Sequence, residues 1–131
     1  MSWTSLIYNA QGVIAIYGGD PPPLTDVRIR EVRLQEDGPT VALRFDLPVF
    51  PDKAPKKWVA QGFNTVQLEI SFGGIRSLGI EGLATEVVAD IAISEGDGVT
   101  LVVASPAMPV EAAAQTAFLS KVSAYGDGKE M

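Results

Sequence analysis

The sequence contains no cysteine and no histidine. Without cysteine it forms no disulfide, no thiolate metal site and no cysteine nucleophile. Without histidine it lacks the usual general base near neutral pH and the commonest transition-metal ligand. Ser-His-Asp catalysis and standard zinc sites are therefore excluded, and the stability of the fold must come from noncovalent packing.

The arrangement of apolar and charged residues also shows no targeting segment and no membrane-spanning segment. Residues 1–20 have no basic n-region, and Asn9 and Gln11 interrupt their apolar positions, unlike a signal peptide. No stretch reaches the roughly 18 consecutive apolar residues that a spanning helix needs. We expect one soluble domain over residues 1–131, located in the cytoplasm.

Motifs for catalysis and small ligands are absent as well. The pairs Gly18-Gly19 and Gly73-Gly74 lack both the ending of a phosphate-binding loop and the glycine spacing of a dinucleotide site. Residues 95–98, EGDG, lack the alternating oxygen ligands of a calcium loop. Two carboxylates acting on a glycosidic bond can be judged only from the folded structure. The sequence predicts no enzyme, no cofactor and no metal site.

Charge is distributed unevenly along the chain. Residues 1–50 hold six acids and four bases, residues 51–80 two acids and four bases, and residues 81–131 eight acids and two bases, which gives −2, +2 and −6. The acidic last third argues against nucleic acid, because phosphate contacts need clustered Lys and Arg. It permits a basic protein partner, although net negative charge also simply keeps a small domain soluble.

Five acids within seventeen positions are the candidate partner-binding residues. They lie at expected strand ends and turns, which are exposed: Glu81, Glu86, Asp90, Glu95 and Asp97. We expect them to contribute more to association than the basic crossing with Lys53, Lys56 and Lys57.

Trp58 is the second candidate contact. It follows Lys56-Lys57 within KKWVAQGF, which forms one helical turn or a wide loop. A basic-aromatic contact with nucleic acid is one interpretation. The favoured one is that Trp58 closes the open end of the core while the lysines are solvated, because the rest of the chain is acidic.

Hydrophobic periodicity predicts one N-terminal helix followed by strands. Apolar residues recur at spacings of three and four from Trp3 to Tyr17, or form two short turns broken near residues 9–12. Period-two alternation predicts strands at 27–34, 40–47, 65–72, 75–80, 86–94 and 99–104. A bulge near Arg30-Glu31 brings both halves of the first strand to one face, and Gly73-Gly74 supplies a tight hairpin turn. The strand at 86–94 is apolar on both faces, which predicts partial cover on its second side.

Residues 110–125 fit either a helix or a strand. Alanine favours helix, whereas the alternation of Val110, Ala112, Ala114, Thr116 and Phe118 fits an edge strand beside the preceding hairpin. We favour strand, because an antiparallel meander continues more simply. The predicted fold is mostly β (α+β), an antiparallel sheet of six or seven strands with one N-terminal helix.

Residues on the apolar parity of each element form the predicted core. These are Trp3, Ile14, Val41, Leu43, Phe45, Leu68, Ile70, Phe72, Ile91, Leu101 and Val103.

The order of several segments resembles a known family. Trp3 opens an apolar helix that IYGGDPPPL closes, and RFDLP, PKKW, GFNTVQLEISF and LSKVSAY follow. This arrangement resembles the immunity protein 50 family of bacterial polymorphic toxin systems over nearly the whole chain. The resemblance implies a small, mostly β cytoplasmic protein that binds and neutralises a cognate toxin, and it assigns no contact residues.

The residues themselves agree with that role. A single domain without ligand motifs is suited to binding by surface complementarity, and an acidic surface favours rapid association with a basic toxin. The alternative is a carbohydrate-binding or other accessory β-module, which exposed aromatics lining one sheet would favour. Neither interpretation involves a nucleic acid or a membrane.

Overall fold

Antiparallel strands dominate the computed structural model, which describes residues 3–52 and 54–127. The mostly β prediction is confirmed, with eight strands in place of six or seven. In chain order the elements are a 3₁₀ turn (Trp3–Leu6), α1 (Gln11–Ile16), β1 (Val27–Gln35), β2 (Thr40–Asp46), α2 (Lys56–Ala60), β3 (Thr65–Gly73), β4 (Ser77–Ile80), β5 (Val87–Gly96), β6 (Gly98–Ala104), β7 (Val110–Ala114) and β8 (Thr116–Tyr125).

The eight strands form one antiparallel sheet in the order β4-β7-β6-β5-β1-β2-β3-β8. Its hairpins β1–β2 and β5–β6 are the predicted ones. The predicted bulge is confirmed, because the register of β1 on β2 shifts between Ile29 and Glu31. Ile29 and Val32 consequently both lie on the core side.

The connection after β3 differs from the prediction. Gly73-Gly74 does not make a hairpin, because β4 pairs with β7 and the neighbours of β3 are β2 and β8. Gly74 has φ +65, a left-handed conformation that bends the chain and lets β4 continue beyond β3. The amide of Arg76 donates to the carbonyl of Ala113 at 2.8 Å, so the ladder runs on through the bend.

Residues 110–125 are strand, as favoured, but they form two strands. β7 pairs with β6 and β4, whereas β8 pairs with β3. The break at Gln115 reverses the parity, so Phe118 is exposed while Ala117 and Leu119 are buried. Residues 110–118 therefore do not alternate as one edge strand.

The sheet closes into a barrel when two pairs of consecutive strands, β3 with β4 and β7 with β8, are each counted as one bent strand. β3 and β4 then form one strand, β7 and β8 another, and these two pair along their whole length. The pairings run from β1 through β2, β3/β4, β7/β8, β6 and β5 back to β1. One hydrophobic cluster fills the interior.

The single N-terminal helix was wrong, and the alternative of two short turns is confirmed. Asn9 has φ +64, which ends the first turn before α1 begins. The 3₁₀ turn lies against β5, and Tyr8 forms an isolated parallel bridge with Phe118 of β8. The N-terminal segment thus spans from β5 to β8 and adds Ile7 and Val13 to the core.

The predicted core is buried except for Trp3 and Ile14, which are half-buried and packed against it. Phe45 and Phe72 are fully buried. The predicted cover on the second face of β5 is wrong, because Val88 on that face is 53% exposed.

Candidate interaction surfaces

The five predicted acids are all exposed and lie along β5 and the loops beside it. Glu81 follows β4, Glu86 precedes β5, and Asp90 and Glu95 belong to β5. Asp97 is the turn residue between β5 and β6, and its carbonyl accepts a hydrogen bond from Arg76. The Asp90 carboxylate accepts one from the amide of Asp26 at 3.0 Å.

The structure separates these acids into two groups. A strand rises about 3.3 Å per residue, so the Cα atoms of Asp90 and Asp97 lie roughly 23 Å apart at opposite ends of β5. Glu81, Glu86 and Asp90 belong to one end of β5, and Glu95 and Asp97 to the other. Partners that contact both groups must cover most of the length of the barrel.

Acidic side chains predominate on the exterior of β4–β7, where the Arg76 guanidinium lies beside the β5–β6 turn. Residues 77–120 hold six acids and neither Lys nor Arg. The sixth acid, Glu111, was missed in the sequence; it is exposed in β7 and pairs with Val102 and Gly79. Between these acids the outer face holds small and apolar side chains, among them Val102, which is 37% exposed.

Trp58 lies away from the acids, beside the other end of the sheet. It belongs to α2, is half-buried against the core, and tilts at 48° to Phe50 with 6.4 Å between ring centroids. Lys56 and Lys57 are exposed, and Lys53 lies outside the described residues. The structure therefore does not bring Trp58 together with the five acids.

An exposed aromatic, Tyr8, lies close to Glu95 near the end of β5, and a second, Phe118, lies beside Tyr8. Tyr8 is 68% exposed and Phe118 39%, and a backbone bridge pairs Tyr8 with Phe118 of β8. Tyr8 and Glu95 line the same small surface pocket of about 250 Å³. The sequence does not mark this pair, because a continuous N-terminal helix keeps Tyr8 out of the sheet and the alternation over residues 110–118 places Phe118 on the core face.

A hydrogen-bonded ionic network covers the outer face of β1, β2, β3 and β8. Its centre is Asp46, a carboxylate on β2 that is 4% exposed. Asp46 accepts hydrogen bonds from Arg30 Nε at 2.7 Å, from Gln67 Nε2 at 3.0 Å and from the Tyr125 hydroxyl. Arg30 is the bulge residue of β1, so the bulge directs its guanidinium to Asp46.

A second bulge builds the other half of this network. The register of β8 on β3 shifts at Glu69, which leaves Ser120 as the extra residue. The Ser120 hydroxyl donates to the Glu69 carboxylate at 3.1 Å, and Arg33 Nη2 donates to the same carboxylate at 3.1 Å. Gln67 joins the two halves into one connected network, because it donates to Asp46 and accepts from Arg44.

Burial and pairing shift the pKa values of several groups in the network. The hydrogen bond to Asp46 is the main cause that raises the pKa of Arg30. Burial alone would raise the pKa of Glu69, but hydrogen bonds from Arg33 and Ser120 outweigh it and hold that pKa below its ordinary value. Burial, and next the bond to Asp46, raise the pKa of Tyr125. Arg30 and Glu69 therefore keep their charges at neutral pH.

Over residues 3–52 and 54–127, no three Asp or Glu side chains are arranged to hold a metal ion. In the same part of the chain, no helix has the length and apolar character needed to cross a bilayer.

Comparison with known proteins identifies the family. The family model described as Immunity protein 50 matches residues 9–125. The chain belongs to the immunity protein 50 family. No curated protein and no solved structure matches it.

The matched region of this immunity protein 50 chain contains all eight strands and both outer faces described above. It begins at Asn9, where the positive φ separates α1 from the 3₁₀ turn. Family membership supports an immunity function in general, and the resemblance seen in the sequence is confirmed.

Proposed function

We propose that this protein binds a cognate bacterial toxin in the cytoplasm and neutralises it by covering a surface that the toxin needs, without turnover of its own. Membership of the immunity protein 50 family supports an immunity role. The observation that carries the binding surface is the acidic exterior of β4–β7, where residues 77–120 hold six acids and no base. The toxin surface that fits it is basic.

Segregated charge of this kind acts chiefly on the rate of encounter. A patch of one sign attracts a partner of the opposite sign and speeds association by one or more orders of magnitude at low salt. The effect fades as the Debye length shrinks to about 8 Å at physiological ionic strength. The acids of β4–β7 therefore recruit the toxin quickly, and packing contacts hold it.

Tyr8 and Phe118 supply the packing contacts in this proposal. Interfaces bind mainly through a few aromatic or arginine anchors, which acidic or polar residues surround. Tyr8 is exposed beside Glu95, so one basic side chain of the toxin can contact the ring and the carboxylate together. Trp58 is less suited, because it is half-buried against Phe50 and far from the acids.

The carbohydrate-module alternative needs a row of exposed aromatics along one sheet. Among the described residues, Tyr8 and Phe118 are the exposed aromatics, and Trp3 and Trp58 are half-buried. This distribution favours the toxin-binding proposal. Gene neighbourhood separates the two: an adjacent secreted toxin supports immunity, and an adjacent polysaccharide operon supports the module.

The first experiment is co-expression with the toxin encoded by the adjacent gene. We expect the protein to restore growth and to form a complex that a pull-down recovers. Failure of both would refute the proposed function.

The second experiment measures the association rate constant with that toxin for two pairs of substitutions. Glu95→Gln with Asp97→Asn changes the charge beside Tyr8, and Glu81→Gln with Glu86→Gln changes it at the other end of β5. Each pair should slow association by about two- to fivefold at low salt, and the difference should shrink as salt rises.

The matched control is Glu36→Gln with Asp37→Asn, which changes the same charge in the exposed β1–β2 turn. It should leave association nearly unchanged. Equal effects of all three pairs would show that net charge alone matters, and no effect of any pair would remove the acidic surface from the interface.

A further inference from the structure

The network on the outer face of β1, β2, β3 and β8 contains a pocket with two arginines and a serine in its wall. It has a volume of about 540 Å³ and is lined by Arg30, Arg44, Gln67, Ser123 and Tyr125. These residues come from four strands, so the pocket exists only in the assembled sheet. No carboxylate belongs to this lining.

Both arginines are held by hydrogen bonds from two of their three guanidinium nitrogens. Arg30 donates through Nε to Asp46 at 2.7 Å, and through Nη2 to the Tyr125 hydroxyl at 2.7 Å and to Asp127 at 3.5 Å. Arg44 donates through Nε to Glu31 at 3.3 Å and through Nη1 to Gln67 at 3.2 Å. A ligand at this site therefore need not order either side chain, which lowers the entropic cost of binding.

Each guanidinium retains donors that the protein does not use. A guanidinium carries five N–H donors. Neither Nη1 of Arg30 nor Nη2 of Arg44 has a hydrogen-bond partner within the described residues. The Ser123 hydroxyl has none there either, and it lines the same pocket.

We propose that this pocket is an oxyanion-binding site, which takes a phosphate group or a carboxylate between Arg30 and Arg44. The free Nη of each arginine can donate to one oxygen of either group, and the Ser123 hydroxyl adds a third donor. Asp46 and Asp127 pair with Arg30 and Glu31 pairs with Arg44, so hydrogen-bond geometry supplies the affinity and excess positive charge does not. The site is separate from the acidic surface assigned to the toxin.

The test uses the whole protein and side-chain Nε–H nuclear magnetic resonance signals of the arginines. Inorganic phosphate and acetate are titrated separately at constant ionic strength, with sodium chloride as the reference. We expect saturable shifts of the Arg30 and Arg44 signals, with a dissociation constant on the order of millimolar. Response to phosphate alone assigns a phosphate ligand, response to acetate alone assigns a carboxylate, and no response beyond that of chloride overturns the proposal.

Two variants and a control locate the binding. Arg44→Lys keeps the charge and removes the free Nη2 donor, so it should weaken binding at least about fivefold. Ser123→Ala should weaken it about twofold while the midpoint of urea unfolding stays unchanged. Lys121→Gln removes a positive charge from exposed β8 without touching the pocket, and it should leave binding intact. Unchanged binding in both pocket variants, or equal loss in Lys121→Gln, would refute the site.

Discussion

Replacing Asp46 by Asn tests whether the buried carboxylate organises the outer face. Asp46 is 4% exposed and accepts hydrogen bonds from Arg30, Gln67 and Tyr125. Asn has nearly the same shape, but it carries no charge and its amide nitrogen donates. The change therefore leaves Arg30 without its closest anion and turns one acceptor into a donor that faces other donors.

The structure sets the size of the expected loss. Breaking a fully buried ion pair from one side costs about 3–5 kcal/mol. Arg30 is 25% exposed, so water recovers part of its solvation, and we expect Asp46→Asn to lower the free energy of unfolding by about 2–3 kcal/mol. Tyr125→Phe removes the hydroxyl that donates to Asp46 and accepts from Arg30, and it should cost about 1.5–3 kcal/mol. The two costs should not add in the double variant, because both belong to one network.

Urea unfolding monitored by tryptophan fluorescence measures these values. The variants can be compared when the slope of the unfolding free energy against urea concentration is the same in all of them. Asp37→Asn is the matched control, because Asp37 is exposed in a turn, and it should stay within about 0.5 kcal/mol of the parent. A cost below about 1 kcal/mol for Asp46→Asn would refute the reasoning. Strict additivity with Tyr125→Phe would also contradict it.

Three further predictions concern the core and the dependence of stability on pH. Phe45→Ala should lower the free energy of unfolding by about 3–5 kcal/mol in the same urea assay, because Phe45 is fully buried, and a loss below about 1 kcal/mol would contradict its place in the core. Burial raises the pKa of Tyr17 and Tyr125, so both hydroxyls stay protonated in the fold at a pH where tyrosines of the unfolded chain ionise. The free energy of unfolding should therefore fall above about pH 10, and it should fall less in Tyr125→Phe. In the fold the pKa of Glu69 is lowered, so the Glu69 carboxylate stabilises the protein above its ordinary pKa and this stabilisation is lost as the pH falls below about 4. Glu69→Gln should make the stability depend less on pH in that range.

Period-two patterns predicted most strands because one face of each strand packs on the core. The bulge near Arg30 was also visible in the sequence, since Val27 and Ile29 are out of phase with Val32 and Leu34. Such local signals depend on nearest neighbours in the chain. They therefore carry over into the assembled fold.

The errors arose where strand pairing over long distances decides the structure. A glycine pair at residues 73–74 is compatible with a reversal or a bend, and the partner that selects the bend, β7, begins 36 positions later. The parity change at Gln115 has no Gly or Pro to mark it. The oxyanion pocket was missed for the same reason, because Arg30, Arg44 and Ser123 become neighbours only when β1, β2, β3 and β8 are placed side by side.

The closure of the barrel by β7 and β8 has a kinetic consequence. The strand pair that joins β3/β4 to β6 is made by residues 110–125, near the end of the chain, and Tyr8 then bridges to Phe118 across 110 positions of sequence. Folds dominated by such distant contacts form slowly, in milliseconds to seconds, because loop closure must precede the favourable contacts. In a chain that is still being synthesised, the barrel cannot close until β8 has been made. Folding should therefore occur as one cooperative event, with the segment around Tyr8 and strand β8 becoming ordered together.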